Sequence, residues 1–227
     1  MFCFSCKYTD SSPLDRCIES ILEYHPNEKI VVVDSESENK SYYDRYKSND
    51  SVIILDNLNK HRQPGSFEII YDRFADEPYY VMIHDSIIFK KSIQKFLNSP
   101  DEFYALLYFP EIVQPEGNIH VVYYRNLFSE TSYKPPEPGS TIMGSFGGMA
   151  IIKNSLMKRL KNSGILSKLN STSKWEDENF ERVIGICAEQ EGYSSEKYNI
   201  EGNFLSRYNE VNSDNLEYFT KIFLGRQ

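Results

Sequence analysis

The sequence predicts an α/β domain built around parallel strands. Three observations carry that prediction: an apolar strand at the start, an amphipathic helix after it, and a second, all-apolar strand ending abruptly at an acid. A right-handed crossover makes such strands parallel, with their carboxyl ends on one edge of the sheet. The chain has 227 residues, 40% hydrophobic and 26% charged, enough for one globular domain with a full core.

Phe2 to Cys6 is the first strand. Ser12-Pro13-Leu14-Asp15 reads as a helix start, with Ser12 as N-cap and Pro13 in the first turn. Leu14, Cys17, Ile18, Ile21 and Leu22 form one apolar stripe, which His25-Pro26 ends. Ile30 to Val33 is the second strand, followed by Asp34 at an exposed strand end; Ser51 to Leu55 is the third. Pro64-Gly65 predicts a turn, and Ser66 a cap for a helix bearing Phe67, Ile70, Tyr71 and Phe74. Tyr79 to Ile83 is a fourth strand and runs into His84-Asp85-Ser86. A short helix over 92–97 and strands near 104–109 and 119–124 come next.

Residues 125–142 are polar and hold Pro135, Pro136 and Pro138, which predicts a mobile loop. The glycine-rich Gly144 to Gly148 precedes a buried strand, Met149 to Ile152, and a helix over about 155–162. Ser173-Lys174-Trp175-Glu176 is a capping box opening a helix whose apolar face is Phe180, Val183, Ile184 and Cys187. A strand near 196–200 and an amphipathic helix with Leu216, Phe219, Ile222 and Phe223 complete the reading.

Several function classes are disfavoured. A net charge of -8 without a basic run argues against nucleic-acid binding. No apolar stretch approaches membrane-spanning length. Cys3 and Cys6 have CxxC spacing, but on a strand they point to opposite faces and cannot close on one metal. The cysteines read as reduced thiols in a cytoplasmic protein.

In a parallel sheet, ligands bind beyond the carboxyl ends of the strands. Tyr8 is placed there to stack on a base, and Asp34 to accept from a base N–H or a ribose hydroxyl. In this arrangement the chain resembles the GT-A glycosyltransferases, especially their broad inverting family. Cys6-Lys7-Tyr8-Thr9 matches that family's opening turn, and Ile30 to Ser37 its strand ending in a base-binding Asp. Gly144-Ser145-Phe146-Gly147-Gly148-Met149 matches its acceptor-side segment, and Glu176-Asp177 its ED motif.

The resemblance implies a Rossmann-like, mixed and mostly parallel central sheet flanked by helices. It implies a single domain, with about 1–100 binding the nucleotide and about 101–227 the acceptor. The implied activity is that of a hexosyltransferase in glycan biosynthesis, moving a sugar from a nucleotide-sugar donor to a carbohydrate or other hydroxyl acceptor with inversion. The implied donor-binding residues are Cys6, Tyr8, Asp34, Arg62, His84, Asp85, Gly147 and Gly148.

Where the family has an Asp-x-Asp metal motif, this chain has His84-Asp85-Ser86. Asp85 and His84 are therefore the expected ligands of Mn2+ or Mg2+, and Arg62 is the residue to carry the phosphate charge without an ion. Glu176 is accounted for by the capping box and Glu178 points away from the apolar face, which leaves Asp177 as the expected general base. Gly147 and Gly148 allow a sugar close to the backbone, and Trp175 either stacks on an acceptor sugar or staples the helix start. Two other readings are an inactive carbohydrate-binding scaffold and a sugar-phosphate nucleotidyltransferase. Against the second, Lys7 to Pro13 contains no glycine, whereas those enzymes have a glycine-rich loop there.

Overall fold

A computed structural model describes residues 1–9, 12–56, 62–207 and 215–222. Its centre is a six-stranded sheet. Strands β1 (Phe2–Cys6), β2 (Ile30–Asp34), β3 (Val52–Asp56) and β4 (Tyr79–Met82) are parallel, and β9 (Ala150–Lys153) runs antiparallel between β4 and β6 (Phe103–Ala105), in the order β3-β2-β1-β4-β9-β6. Helices cover both faces, so β2 is buried along its whole length and can be all apolar before Asp34. The alternation along β1 sends Met1 and Cys3 into one core and Phe2, Phe4 and Cys6 into the other. All four cysteines are free and buried.

The first core packs the sheet against α2 (Arg62–Arg73), α4 (Ile119–Phe128), α5 (Asn154–Asn162), α6 (Ile165–Lys168) and α7 (Lys174–Gln190). The second lies under α1 (Leu14–Tyr24), α3 (Gln94–Leu97) and a two-stranded sheet of β5 (Ile87–Phe89) and β10 (Phe219–Lys221). A two-stranded antiparallel sheet of β7 (Tyr108–Ile112) and β8 (Thr141–Ser145) carries α7 across its face. Gly185 makes that crossing possible, because a Cβ there would lie 1.9 Å from the Met143 carbonyl oxygen. Among the described residues no helix is long and apolar enough to cross a membrane.

Several local expectations are corrected. Residues 119–124 form the start of α4 rather than a strand: Asn118 caps it by accepting the His120 N–H, and Val121, Tyr124, Leu127 and Phe128 make a buried helical stripe. Their β-branched and aromatic character suits a strand, and tertiary packing overrides it. The segment expected as a mobile loop begins inside α4 and ends inside β8. Between them Tyr133 is buried with its hydroxyl on Glu191, and Lys134 exchanges two hydrogen bonds with Gln190.

Pro64 and Gly65 lie within the first turn of α2, where a missing N–H costs nothing, so they do not turn the chain before it. Ser66 donates to the Gln63 carbonyl and Ser12 to Asp85, so neither is the expected cap. The 104–109 segment is split between β6 and β7. Residues 196–200 form no strand and meet β6 through an isolated bridge at Ala105 and Asn199 and the packing of Tyr198 on Tyr104. The expected last helix is β10 over 219–221; Phe223 lies outside the described residues.

Gly185→Ala should lower the unfolding free energy by at least about 1–3 kcal/mol, because the Cβ meets backbone that cannot give way. Urea unfolding reads this as a lower midpoint at unchanged slope. A wild-type midpoint would mean that α7 does not press on β8.

Candidate active site

The chain leaves β1 toward α1 on one side and returns through β4 on the other, so a crevice opens between the carboxyl ends of β1 and β4. It holds a cleft of about 250 Å³. Ser5 and Lys7 reach it from β1, Ser35 from β2, and Arg62, Gln63 and Pro64 from the start of α2. His84 enters from the end of β4 and Gly147 from the turn after β8, while Asp177, Phe180 and Glu181 come from α7. A second recess continues past Lys7, Ser35 and Arg62 to Ser171 and Thr172. On the far side of α7 a wider groove is walled by Phe109, Pro110, Phe146, Phe204 and Leu205. There the Phe146 and Phe204 rings stack with centroids 3.8 Å apart.

His84 is held at both nitrogens. Its Nε2–H donates to the Gly147 carbonyl at 2.9 Å, and Nδ1 accepts from Lys221 Nζ at 2.8 Å, which fixes the neutral tautomer. Burial, and then the adjacent ammonium, hold its pKa well below the ordinary histidine value. Lys221 also donates to Ser86 Oγ at 2.7 Å. Burial pulls the Lys221 pKa down to about 8, against the raising effects of Asp85 and Glu181. Asp85 turns away from the cleft and accepts from Ser12 Oγ at 3.1 Å and Cys6 Sγ at 3.3 Å; burial pushes its carboxyl up.

As arranged, this donor set of Asp85 and His84 does not fit Mn2+ or Mg2+. Neither imidazole nitrogen has a lone pair left for a cation. The Asp85 carboxylate faces a thiol and a hydroxyl, and an ammonium already sits beside both residues. Among the described residues no group of three His, Cys, Asp or Glu is arranged to hold a metal.

Arg62, His84, Gly147 and Asp177 are thus brought together as the sequence suggests, while Cys6, Tyr8, Asp34, Asp85 and Gly148 do not line this cleft. Cys6 is buried against Asp85. Tyr8 stacks on Tyr42, with ring centroids 3.4 Å apart. Gly148 has φ +62°, and a Cβ there would meet the Phe180 ring at 2.2 Å, so its small size serves helix packing. Trp175 packs against Tyr123 and His120, the stapling role.

Asp177 accepts from Arg62 Nη1, and the Arg62 backbone N–H donates to Ser35 Oγ at 3.1 Å. Arg62 has φ 55°, a left-handed conformation rare outside glycine and concentrated at functional sites. Ser173 and Glu176 form the expected capping box. Sequence reasoning missed Glu181, Gln63 and Lys221. Glu181 lies four residues after Asp177, hence on the same helix face, and that spacing was available as a signal. Burial and a hydrogen bond from the Gly147 backbone act on its carboxyl in opposite senses, and burial wins, raising the pKa to about 7. Gln63 lines the cleft with its Nε2 buried and unpartnered. Lys221 lies in a segment that reads as a helix, and nothing local points to it.

No family model and no curated protein matches the chain. Solved structures do. One is a Bacillus anthracis protein assigned as a glucose-1-phosphate thymidylyltransferase, in complex with a sucrose: TM-score 0.51, 13% identity, covering 99% of this chain and 96% of that one. Another is the glycosyltransferase GlyE of Streptococcus pneumoniae: TM-score 0.50, 13% identity, covering 94% of this chain and 47% of that one. A third is the mannosyltransferase PcManGT of Pyrobaculum calidifontis with GDP-Man and Mn2+: TM-score 0.41, 14% identity, covering 70% of this chain and 46% of that one. The chain spans about half the length of these two glycosyltransferases. The likeness establishes the Rossmann-like GT-A architecture, a mostly parallel sheet flanked by helices.

Asp34 is 2% exposed rather than at an open strand end. Its Oδ1 accepts from Tyr43 Oη at 2.9 Å and the Ser37 N–H at 3.3 Å, while Oδ2 is met only by Lys40 Nζ at 3.4 Å. Asp34→Ala should therefore cost about 1–3 kcal/mol of stability, the penalty for stranding buried donors. Chemical denaturation measures it, and wild-type stability would return Asp34 to the exposed role that the sequence suggests.

Proposed function

We propose that this chain is a glycosyltransferase that moves a sugar from a nucleotide-sugar donor to a hydroxyl acceptor with inversion, as a hexosyltransferase of glycan biosynthesis. One observation carries the reading: the crevice at the β1/β4 switch point combines two cationic side chains, Lys7 and Arg62, with two carboxylates, and adjoins an aromatic-walled groove. A diphosphate needs the cations. Apolar sugar faces suit flat aromatic walls such as Phe146 and Phe204. The leaving diphosphate lies against Lys7 and Arg62, and the nucleoside extends past Ser35. Asp177, which the ED resemblance makes the base, holds the Arg62 guanidinium in place.

The thymidylyltransferase neighbour favours a second reading, transfer of a nucleotide onto a sugar phosphate. The absence of glycine from Lys7 to Pro13 weighs against it. Incubation with nucleoside triphosphates and sugar 1-phosphates would release pyrophosphate under that reading alone. An inactive scaffold would turn over neither those nor nucleotide sugars.

Isothermal calorimetry with UDP, GDP and dTDP tests the binding half. At least one should bind, and Arg62→Ala should weaken it by about 1–3 kcal/mol, the worth of a charge-assisted contact. EDTA should leave the wild-type affinity within about twofold, because a side-chain charge needs no ion to meet phosphate. Binding abolished by EDTA would overturn the metal-free arrangement. No binding of any nucleotide would overturn the reading.

A further inference from the structure

We propose that Glu181, rather than Asp177, is the general base of the transfer. This rests on the glycosyltransferase reading above and deepens it.

Asp177 and Glu181 both line the crevice beside Arg62 and the aromatic groove beyond α7, and they are the two residues common to both walls. The hydroxyl that attacks and the carbon it attacks must meet where those spaces join, so the proton acceptor has to stand there. Of the two carboxylates, Asp177 is committed to the Arg62 guanidinium. That pair uses Oδ2 while Oδ1 is buried without a partner, so a proton taken at Oδ1 would neutralise the carboxylate and weaken the ion pair that holds Arg62.

Glu181 has no ion pair among the described residues. Its carboxyl is oriented by the backbone N–H of Gly147, the residue whose carbonyl accepts the hydrogen bond from His84 Nε2–H. The charged groups that act on it most are Arg182 and Glu178 from its own helix and Lys221 from β10, and Asp177, Lys7 and Arg62 line the same cleft. Arg182 is itself bound by Glu111 at 2.5 Å, and Lys221 is hydrogen-bonded to His84 and Ser86. Burial raises the Glu181 carboxyl to about 7, the range in which a base can both take and release a proton in neutral solution.

The step balances simply. The acceptor oxygen forms a bond to the anomeric carbon as the bond from that carbon to the diphosphate oxygen breaks. The electron pair of the broken bond leaves with the nucleoside diphosphate, whose charge Arg62 and Lys7 meet. The hydroxyl proton passes to a Glu181 carboxylate oxygen and is lost to water once the products leave. The active form is the carboxylate, so turnover rises with pH through about 7.

The test uses the full chain and measures nucleoside diphosphate released from UDP-glucose, UDP-N-acetylglucosamine and GDP-mannose, with water or added free sugars as acceptor. Glu181→Gln should reduce turnover by about 10²- to 10⁴-fold and abolish the rise through neutral pH, with nucleoside diphosphate affinity unchanged within about twofold. It should also melt higher than wild type at pH 8, because it removes a buried charge. That separates lost chemistry from lost fold. Glu181→Asp should keep the pH rise at reduced rate. Asp177→Asn should weaken binding of the nucleoside diphosphate through Arg62 and leave the pH profile in place. Wild-type turnover in Glu181→Gln would overturn the proposal, as would loss of both turnover and pH dependence in Asp177→Asn at wild-type affinity. A wild-type protein that binds and cleaves none of the three donors would instead overturn the glycosyltransferase reading, and this proposal with it.

Discussion

The two hydrogen bonds of the His84 imidazole are the constraint on which the site depends. One ties the end of β4 to the turn after β8, and the other ties it to β10, from the far end of the chain. Gly147 can take part because its left-handed backbone carries no Cβ, which would stand 2.7 Å from the imidazole. The same residue presents its N–H to Glu181. A single neutral ring therefore sets the floor of the crevice and, through one residue, the carboxyl beside it.

The cost of this arrangement is a buried ammonium. Lys221 is 8% exposed, and removing a charge from water is tolerated only when other groups replace the solvent. His84 and Ser86 supply hydrogen-bond acceptors, while Asp85 and Glu181 supply opposing charge. Where a GT-A enzyme with an Asp-x-Asp segment gathers carboxylates around a cation, this chain gathers a neutral ring, a hydroxyl and a carboxyl around a covalently attached one.

The sequence made the β-α-β opening legible because each element declares itself locally: a five-residue apolar strand, a stripe at helical spacing, then four consecutive aliphatic residues. The capping box of α7 was equally readable, since Ser173 and Glu176 satisfy each other. What stayed hidden depends on distant partners. Ile119 to Tyr124 has strand composition and folds as a helix because the stripe that matters continues to Leu127 and Phe128. Asp34 looked exposed because nothing nearby announces that Tyr43 will fold back onto it. The site was legible as a set of strand ends along one edge. Its charge balance was not, because Lys221 arrives from 135 residues beyond Ser86.

Asp177 and Glu181 are four residues apart on one long helix whose first turn is capped and whose body is pressed on the β7/β8 strand pair. Their Cα atoms are therefore spaced along the axis by about 6 Å, at 1.5 Å per residue, and neither can drift relative to the other. The helix acts as a ruler. Under the proposed transfer, it sets the distance between the place where a leaving group would be steadied, through Arg62, and the place where an incoming nucleophile would lose its proton. In a displacement at carbon these two points lie on opposite sides of the reacting centre. A backbone that fixes their separation selects which chain of atoms can lie between them, before any side chain recognises what those atoms are.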